Sequence, residues 1–496
     1  FRTYYMATML LIVFHLCLST TSQAQTNTES IAQLTVRPSK TRQTFNGMGC
    51  GSIFYSGHLA SFKNKPELQT QLFDDVFTNV RTDFLHLMIR PDFEPENDNE
   101  DPYNADFKED NFAKNKNAIK VCREAKKRRP DMKLYATLYT PPSWMKTNGE
   151  PSGGAKKKAT IIDGMELECA EYIWGYLQHM AEKKQPIDYL SISNEPDWGH
   201  HQPGYFLTPK QHAALFEIVA EYLEDMYKMH PEVPRAKLVV PNGISAVNAA
   251  KKFLPALSPK ASKLVDVIGS HDYDRRPGRW AKLRELAGER PVWCTEWCWN
   301  GKDKSPDMIQ AANSSWSVMT DGFNGGVNVW MAYEWVYPPR DGGEALTHVD
   351  WGKSYHHTKV YYAFKQWTNA LSPGMKVVAT SMQAPEVNVV TAVGGVKKNK
   401  EPGVKACAFI GEVFSDDSKS SEQTKLVIHV VNLQKQPSEF AMQIEGEQFR
   451  NAEVKVLRTD QEVSIEPGEP MKLSNGILTD RLAPWGLVTY ELQVKQ

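Results

Sequence analysis

From about residue 45 to about residue 370 the chain alternates short apolar runs with stretches whose apolar residues recur at the helical period. The runs cover 45–50, 84–89, 133–139, 187–193, 237–240, 265–270, 291–295 and 327–333. Near-continuous runs such as Phe84-Leu85-His86-Leu87-Met88-Ile89 suit parallel strands covered on both faces. Between them lie helical signals. Thr208-Pro209-Lys210-Gln211 supplies an N-cap, a proline at the first helical position and a glutamine to close a capping box. Leu215, Ile218, Val219, Tyr222, Leu223 and Met226 then repeat at the spacing of one helix face. Eight strand–helix units predict an α/β (β/α)8 barrel over 45–373. An open doubly wound sheet is the alternative, but no glycine-rich phosphate loop follows any strand.

Near Lys376 the texture changes. Short alternating runs at 386–393, 404–410, 425–433, 453–457 and 487–492, separated by turn residues, predict a C-terminal β-sandwich over 374–496. The segment 33–37 alternates too, so 25–44 is expected to lend that sandwich a strand. Ahead of it, residues 9–18 form an apolar run too short to span a bilayer. Arg2 precedes the run and Ser22-Gln23-Ala24 follows it, which predicts a signal peptide over 1–24 cut after Ala24, with Met6 as a candidate start. The mature protein is then expected to be secreted or periplasmic, with no membrane span.

With 41% hydrophobic and 24% charged residues in 496, the chain is not of disordered composition. A formal charge of −1 excludes the basic footprint that nucleic acid requires. A monomer is expected. Cys50, Cys122, Cys169, Cys294, Cys298 and Cys407 are too scattered for a disulfide framework. Cys294 and Cys298 resemble half a metal site, but the other half is missing, so buried free thiols are expected. The basic cluster Lys126-Lys127-Arg128-Arg129 falls at a helix end, where the helix dipole and solvent account for it.

Barrel enzymes carry their chemistry at the C-terminal ends of the strands. The fourth run ends in Ser193-Asn194-Glu195-Pro196 and the seventh in Thr295-Glu296-Trp297. One glutamate at a strand end is ordinarily just solvated. Two facing each other across a barrel mouth are the minimum equipment for glycoside hydrolysis.

These residues resemble glycoside hydrolase family 30 of the clan A retaining glycosidases. The resemblance rests on Asn194-Glu195-Pro196 and Glu296. It is strengthened by the decapeptide Thr140-Pro141-Pro142-Ser143-Trp144-Met145-Lys146-Thr147-Asn148-Gly149, with Gly153-Gly154 after it. Phe45-Asn46-Gly47-Met48-Gly49 resembles the family's first strand. Tyr361-Tyr362-Ala363-Phe364 and Ser372-Pro373-Gly374 resemble its exit into a side β-domain. The resemblance implies a retaining β-glycosidase acting on a polysaccharide or oligosaccharide, with Glu195 as acid/base and Glu296 as nucleophile. It further implies that Asn194 binds the sugar hydroxyl beside the reacting carbon, that Arg90 holds the nucleophile ionised, and that Tyr273, beside His271, hydrogen-bonds it. Trp144, Trp198, Trp297 and Trp330 would offer stacking faces, Trp144 and Trp330 the better candidates. No metal or organic cofactor is implied.

The loop Trp335-Val336-Tyr337-Pro338-Pro339-Arg340-Asp341-Gly342-Gly343 departs from the glucuronoxylan-cleaving branch, and Trp297-Cys298-Trp299 is bulkier than the family pattern. Xylanase, β-1,6-galactanase and β-1,6-glucanase activities of the endo type therefore stay open, as do an exo-acting β-glycosidase and a non-catalytic glycan-binding protein. Lys146, Lys156-Lys157-Lys158, His200-His201, Arg275, Arg276, Arg279 and Arg340 crowd the loops expected at the mouth. They raise an anionic sugar as a substrate, with Arg340 or Arg275 as its reader.

Overall fold

The structure is a computed structural model that describes residues 31–153, 158–198, 202–298, 305–340, 344–391, 397–414 and 421–495. The expected signal peptide lies outside the described residues.

Strand β1 (Ala32–Thr44) leads into eight strands that close a parallel barrel in chain order. These are β2 (Gly47–Gly51), β3 (Phe84–Ile89), β4 (Lys133–Leu138), β5 (Tyr189–Ser191), β6 (Lys237–Gly243), β7 (Val267–Ser270), β8 (Val292–Cys294) and β9 (Val329–Ala332). β9 pairs back onto β2, with Gly47 opposite Val329. Alternate residues of the strands fill the barrel axis: Phe84, Tyr135, Val239, Val267, Trp293, Val329 and Met331 form one buried cluster. Phe84 and Trp293 lie on strands that are not neighbours, yet their rings are 4.9 Å apart. The intervening helices cover the outer face. The helix Pro209–Met229 begins with the capping box read from the sequence: the Thr208 hydroxyl accepts from the Gln211 amide, and the Gln211 side chain accepts from the Thr208 amide at 3.0 Å.

After β9 come three short strands, β10 (Val336–Tyr337), β11 (Thr347–Asp350) and β12 (Ser354–His357), then the helix Lys359–Ala370. The side domain follows with β13 (Lys376–Gln383), β14 (Glu386–Thr391), β15 (Lys397–Pro402), β16 (Val404–Phe414), β17 (Ser421–Asn432), β18 (Ser438–Ile444), β19 (Glu453–Thr459), β20 (Glu466–Pro467), β21 (Met471–Lys472), β22 (Ile477–Leu482) and β23 (Leu487–Lys495). The main sheet runs β20-β19-β23-β17-β16-β13-β1-β18-β22. Residues near both ends of it, such as Val456 and Leu478, share one core, so the sheet is folded over on itself. β1 sits inside this sheet, antiparallel to β13 and parallel to β18.

Strand alternation divides the side domain's loyalties. On β17, Leu426, Ile428 and Val430 face the side-domain core, while Val427 and Val431 face the barrel. Phe409 of β16 packs on Phe45 and Phe323, and Trp367 of the exit helix stacks on His429 at 4.2 Å. Strands β13, β18 and β22 were not foreseen. Their Thr, Ser, Gln, Asp and Arg positions dilute the apolar alternation that marks the other strands. The run at 386–393 is also corrected: its described part, β14, pairs with β15 in a separate hairpin.

Candidate active site

Glu195 follows β5 and Glu296 follows β8, and both side chains are buried. One oxygen of each, together with a ring nitrogen of His271 after β7, lies within 4.8 Å of the other two. His271 Nδ1 shares a 2.9 Å hydrogen bond with Glu195 Oε1 and stands 3.6 Å from Glu296 Oε1. Glu296 accepts a hydrogen bond from the Tyr139 hydroxyl at 2.7 Å on one oxygen and from the Tyr273 hydroxyl at 3.0 Å on the other.

Opposed effects set the protonation of this cluster. Burial raises the pKa of Glu296 and the Glu195 carboxylate raises it further; His271 and the two hydroxyls pull it down, and the balance is upward. For His271 burial works downward, but the two glutamates outweigh it and leave its pKa raised.

The backbone that presents Glu195 is held in an unusual shape. Glu195 has a φ of +46°, a left-handed conformation that costs a non-glycine residue roughly 1–2 kcal/mol. Asn242, fully buried on β6, secures it. Its carbonyl accepts from the Glu195 amide at 2.9 Å and its Nδ2 donates to the Ser193 carbonyl at 2.9 Å. Its Oδ1 accepts from the Thr295 hydroxyl, one residue before Glu296, at 2.6 Å. One asparagine thus ties together the two strand ends that carry the glutamates. Neither Asn242 nor Tyr139 was among the residues expected from the sequence. Both stand at strand ends, which was the available signal. A third acid, Glu334, was also missed. It is buried after β9, accepts from the amides of Ile53 and Phe54, and is pushed up to about 8, mainly by burial.

The Tyr139 contact is separable by mutation. Tyr139→Phe is expected to lower kcat about 10- to 100-fold, the worth of a hydrogen bond to a charged group. Removing a donor from Glu296 also raises that carboxyl's pKa. The acid limb of the kcat/KM profile should therefore move to higher pH, so the loss is deepest on the acid side. A pH–rate profile of the variant checks this, and an unmoved acid limb contradicts the contact's role.

A cleft of about 650 Å³ adjoins the pair, lined among others by Phe54, Tyr55, Met88, Arg90, Tyr333 and Tyr337. Tyr139 links the two regions, its ring edge-on to Phe54 at 5.4 Å and its hydroxyl on Glu296. Asn194 is buried beside Glu195, and its Oδ1 meets no donor.

Several expectations need correction. Arg90 does not reach Glu296 but is bidentate to Asp92 at 3.0 Å at the cleft wall. On that strand His86 faces inward, as Phe84 does, and it is bonded to the Thr137 hydroxyl and stacked on Tyr135. Trp330 is not a platform. It lies between the inward-facing Val329 and Met331, so it points outward, onto Trp280 and Gly322. Trp297 is buried and stacks on Tyr273 at 5.3 Å, while Trp198 is exposed. Trp144 is half-buried, packs on the core and donates from Nε1 to the Glu94 carbonyl at 3.1 Å.

The loop cations among the described residues are engaged with partners. Arg275 is buried against Ser317 and Glu401, Arg279 pairs with Asp272, and Arg276 stands 3.9 Å from Asp274. Arg275 therefore cannot read a sugar in the cleft. Arg340 pairs with Glu344 and lies 3.9 Å over the Tyr337 ring at the cleft rim. Lys146 Nζ is capped by four carbonyls, of Glu150, Pro151, Ser152 and Gly204. Lys158 sits over the Phe206 ring. Lys156, Lys157, His200, His201, Trp299 and Asp341 lie outside the described residues. The six cysteines among the described residues are free, five of them buried.

The family model for the glycosyl hydrolase family 30 TIM-barrel domain matches residues 72–217, the stretch that carries Asn194 and Glu195. Over that stretch the chain is similar to glycoside hydrolase family 30. A curated relative, a putative glucosylceramidase 1 of Caenorhabditis elegans, is 26% identical over 185 residues. That match takes in 35% of this chain and 35% of the relative, so the chain spans about a third of that protein's length. Solved structures extend the likeness of fold to almost the whole chain. A family 30 subfamily 8 xylanase from Clostridium acetobutylicum superposes with a TM-score of 0.68 at 18% identity, over 93% of this chain and 100% of that one. An endo-β-1,6-glucanase superposes with a TM-score of 0.64 at 14% identity, over 94% of each chain. Family 30 proteins of this kind join a TIM barrel to a side β-domain, as here. No helix among the described residues is long and apolar enough to cross a membrane.

Proposed function

We propose that this protein is an exported retaining β-glycoside hydrolase, endo-acting on a polysaccharide or oligosaccharide. The observation that carries the reading is the buried pair Glu195–Glu296, with an oxygen of each inside a 4.8 Å triangle with His271. Retaining enzymes hold their carboxyl groups about 5–5.5 Å apart, whereas inverting enzymes leave about 6.5–9.5 Å for a water. Glu296 attacks the anomeric carbon from one face while Glu195 delivers a proton to the leaving oxygen. Glu195 then deprotonates the water that hydrolyses the glycosyl-enzyme. Tyr139 and Tyr273 keep the attacking carboxylate oriented. Asn194, with its unpartnered Oδ1, supplies the contact to the adjacent sugar hydroxyl.

The aromatic cleft walls suit sugar faces. The pairing of Arg275, Arg276, Arg279 and Arg340 favours a neutral glycan over an anionic one. The endo reading draws support from the relatives named for xylan and β-1,6-glucan cleavage. Residues 1–24 act as the export signal, 45–373 as the catalytic barrel and 374–496 as the side domain, with the protein working as a monomer. A non-catalytic glycan-binding role is disfavoured because both carboxylates, the His271 ring between them and the two tyrosine hydroxyls on Glu296 are in place.

A panel of β-glycans with chromatographic product analysis tests the reading. Internal cleavage products are expected, and NMR of the first product should show the substrate's own anomeric configuration. Inversion would refute the mechanism, and binding without cleavage across the panel would refute the enzyme.

A further inference from the structure

Away from the catalytic pair, the long segment between β3 and the 3-10 helix Glu109–Asn115 packs against the helix Glu166–Glu182. At that contact Glu94 and Asp98 of the loop meet Glu171 of the helix. One oxygen from each lies within 4.8 Å of the other two. Glu94 and Glu171 are each 1% exposed. No amide, hydroxyl or cationic group donates to either oxygen of Glu171 or to Oε2 of Glu94. Without a cation, burial pushes Glu94 up to about 8 and Glu171 up to about 9, and Glu171 is left to share a proton with Glu168. Glu168, one turn before Glu171 on the same helix face, adds another buried oxygen without a donor. Among the described residues no lysine, arginine or histidine forms an ion pair with any of these four acids. The nearby cations are committed elsewhere, Lys114 to Asp92 and Lys183 to Glu109.

A buried carboxylate with neither a donor nor a counter-charge costs several kcal/mol. Here such groups converge from two separate elements instead of avoiding one another. Any two oxygens on one calcium ion, each at about 2.3–2.6 Å, can stand no more than about 4.6–5.2 Å apart, and a cluster whose oxygens all lie within 4.8 Å of one another meets that condition. An all-carboxylate donor set selects a hard cation and excludes the softer transition metals.

We propose that Glu94, Asp98 and Glu171 bind a calcium ion that fastens the loop after β3 to the helix Glu166–Glu182. The ion is structural and takes no part in glycoside chemistry, so the inference stands whether or not the glycosidase reading holds. Its reach extends to the cleft. Pro91, Glu94 and Pro95 line one cleft wall, and the Glu94 carbonyl receives Trp144 Nε1. Fixing Glu94 therefore fixes that wall and the tryptophan of the loop after β4.

The test uses the full mature chain, stripped with a chelator and titrated with calcium chloride by calorimetry, with thermal unfolding followed in parallel. One calcium per chain and a rise in Tm are expected, with magnesium binding more weakly. Glu171→Gln should weaken calcium binding by roughly tenfold or more and abolish the rise in Tm. Its Tm in chelator should stay close to that of the parent, because burial and the neighbouring acids already keep the metal-free Glu171 protonated and an amide of the same shape replaces a neutral carboxyl. A purely structural role for Glu171 would instead lower the metal-free Tm. If Glu171→Gln does not fold, Asp98→Asn on the loop side carries the same expectation for calcium affinity. No calcium binding by the parent, or unchanged binding in the variant that folds, overturns the proposal.

Discussion

Glu296→Ala is expected to abolish turnover on every substrate, by a factor on the order of 10⁵ or more, as loss of a covalent nucleophile does. Glu195→Ala should fail differently. On a natural glycan, whose leaving oxygen needs a proton, the loss should be about 10²–10⁴-fold. On an aryl glycoside with a good leaving group the first step should be nearly spared. The glycosyl-enzyme should then accumulate, because no base remains to activate water. Azide sharpens the distinction. Entering the pocket left by Glu195, it attacks the glycosyl-enzyme and gives an azide with the substrate's configuration. Entering in place of Glu296, it attacks the substrate directly and gives the inverted azide. The two glutamates share His271, at 2.9 and 3.6 Å, so neither static position nor burial separates acid from nucleophile. Glu296 takes a tyrosine hydroxyl on each oxygen, an arrangement that favours its ionised form and suits it to the nucleophile's part. Exchanged azide configurations would reverse the assigned roles.

The barrel was legible because its strands are buried on both faces and read as unbroken apolar runs, and because Glu195 and Glu296 end two of them. The site's supporting residues were harder to find for a physical reason. Tyr139 and Asn242 matter through where their polar atoms land across the barrel mouth, and one-dimensional spacing carries no record of that. Trp330 was misread because a tryptophan on a barrel strand looks the same whether it faces the axis or the helices. Only the neighbouring Val329 and Met331, which fill the axis, decide it. Arg90 was misread because family position was extended past the last residue of β3, where the chain has already left the barrel and Asp92 is two residues away. In the side domain the legible strands were those whose apolar alternation runs unbroken, as on β19, or whose two faces are both apolar along most of their length, as on β17, where one face meets the barrel and the other its own core.

Asn242→Ala is expected to lower kcat about 100-fold while leaving KM within a few-fold of the parent. Asn242 touches neither carboxylate with its side chain, yet its amide spans the two strand ends that present them. Without it the Ser193 carbonyl loses its donor and the Thr295 hydroxyl its acceptor, both in a buried setting. The left-handed turn at Glu195 then keeps only the bond from its own amide to the residue 242 carbonyl. A displacement of about 1 Å in a reacting group is enough for a 10²-fold loss. Stability should fall too, by about 1–3 kcal/mol for the unsatisfied groups. The decisive readout is therefore the split between kcat and KM, measured well below the variant's Tm. Asn242→Asp keeps the acceptor for Thr295 but loses the donor to Ser193 and adds a buried charge near Glu195. It should recover little of the activity and should raise the pKa of the neighbouring acid, moving the basic limb of the pH profile upward. Wild-type kcat in Asn242→Ala would show that the barrel alone positions the two glutamates.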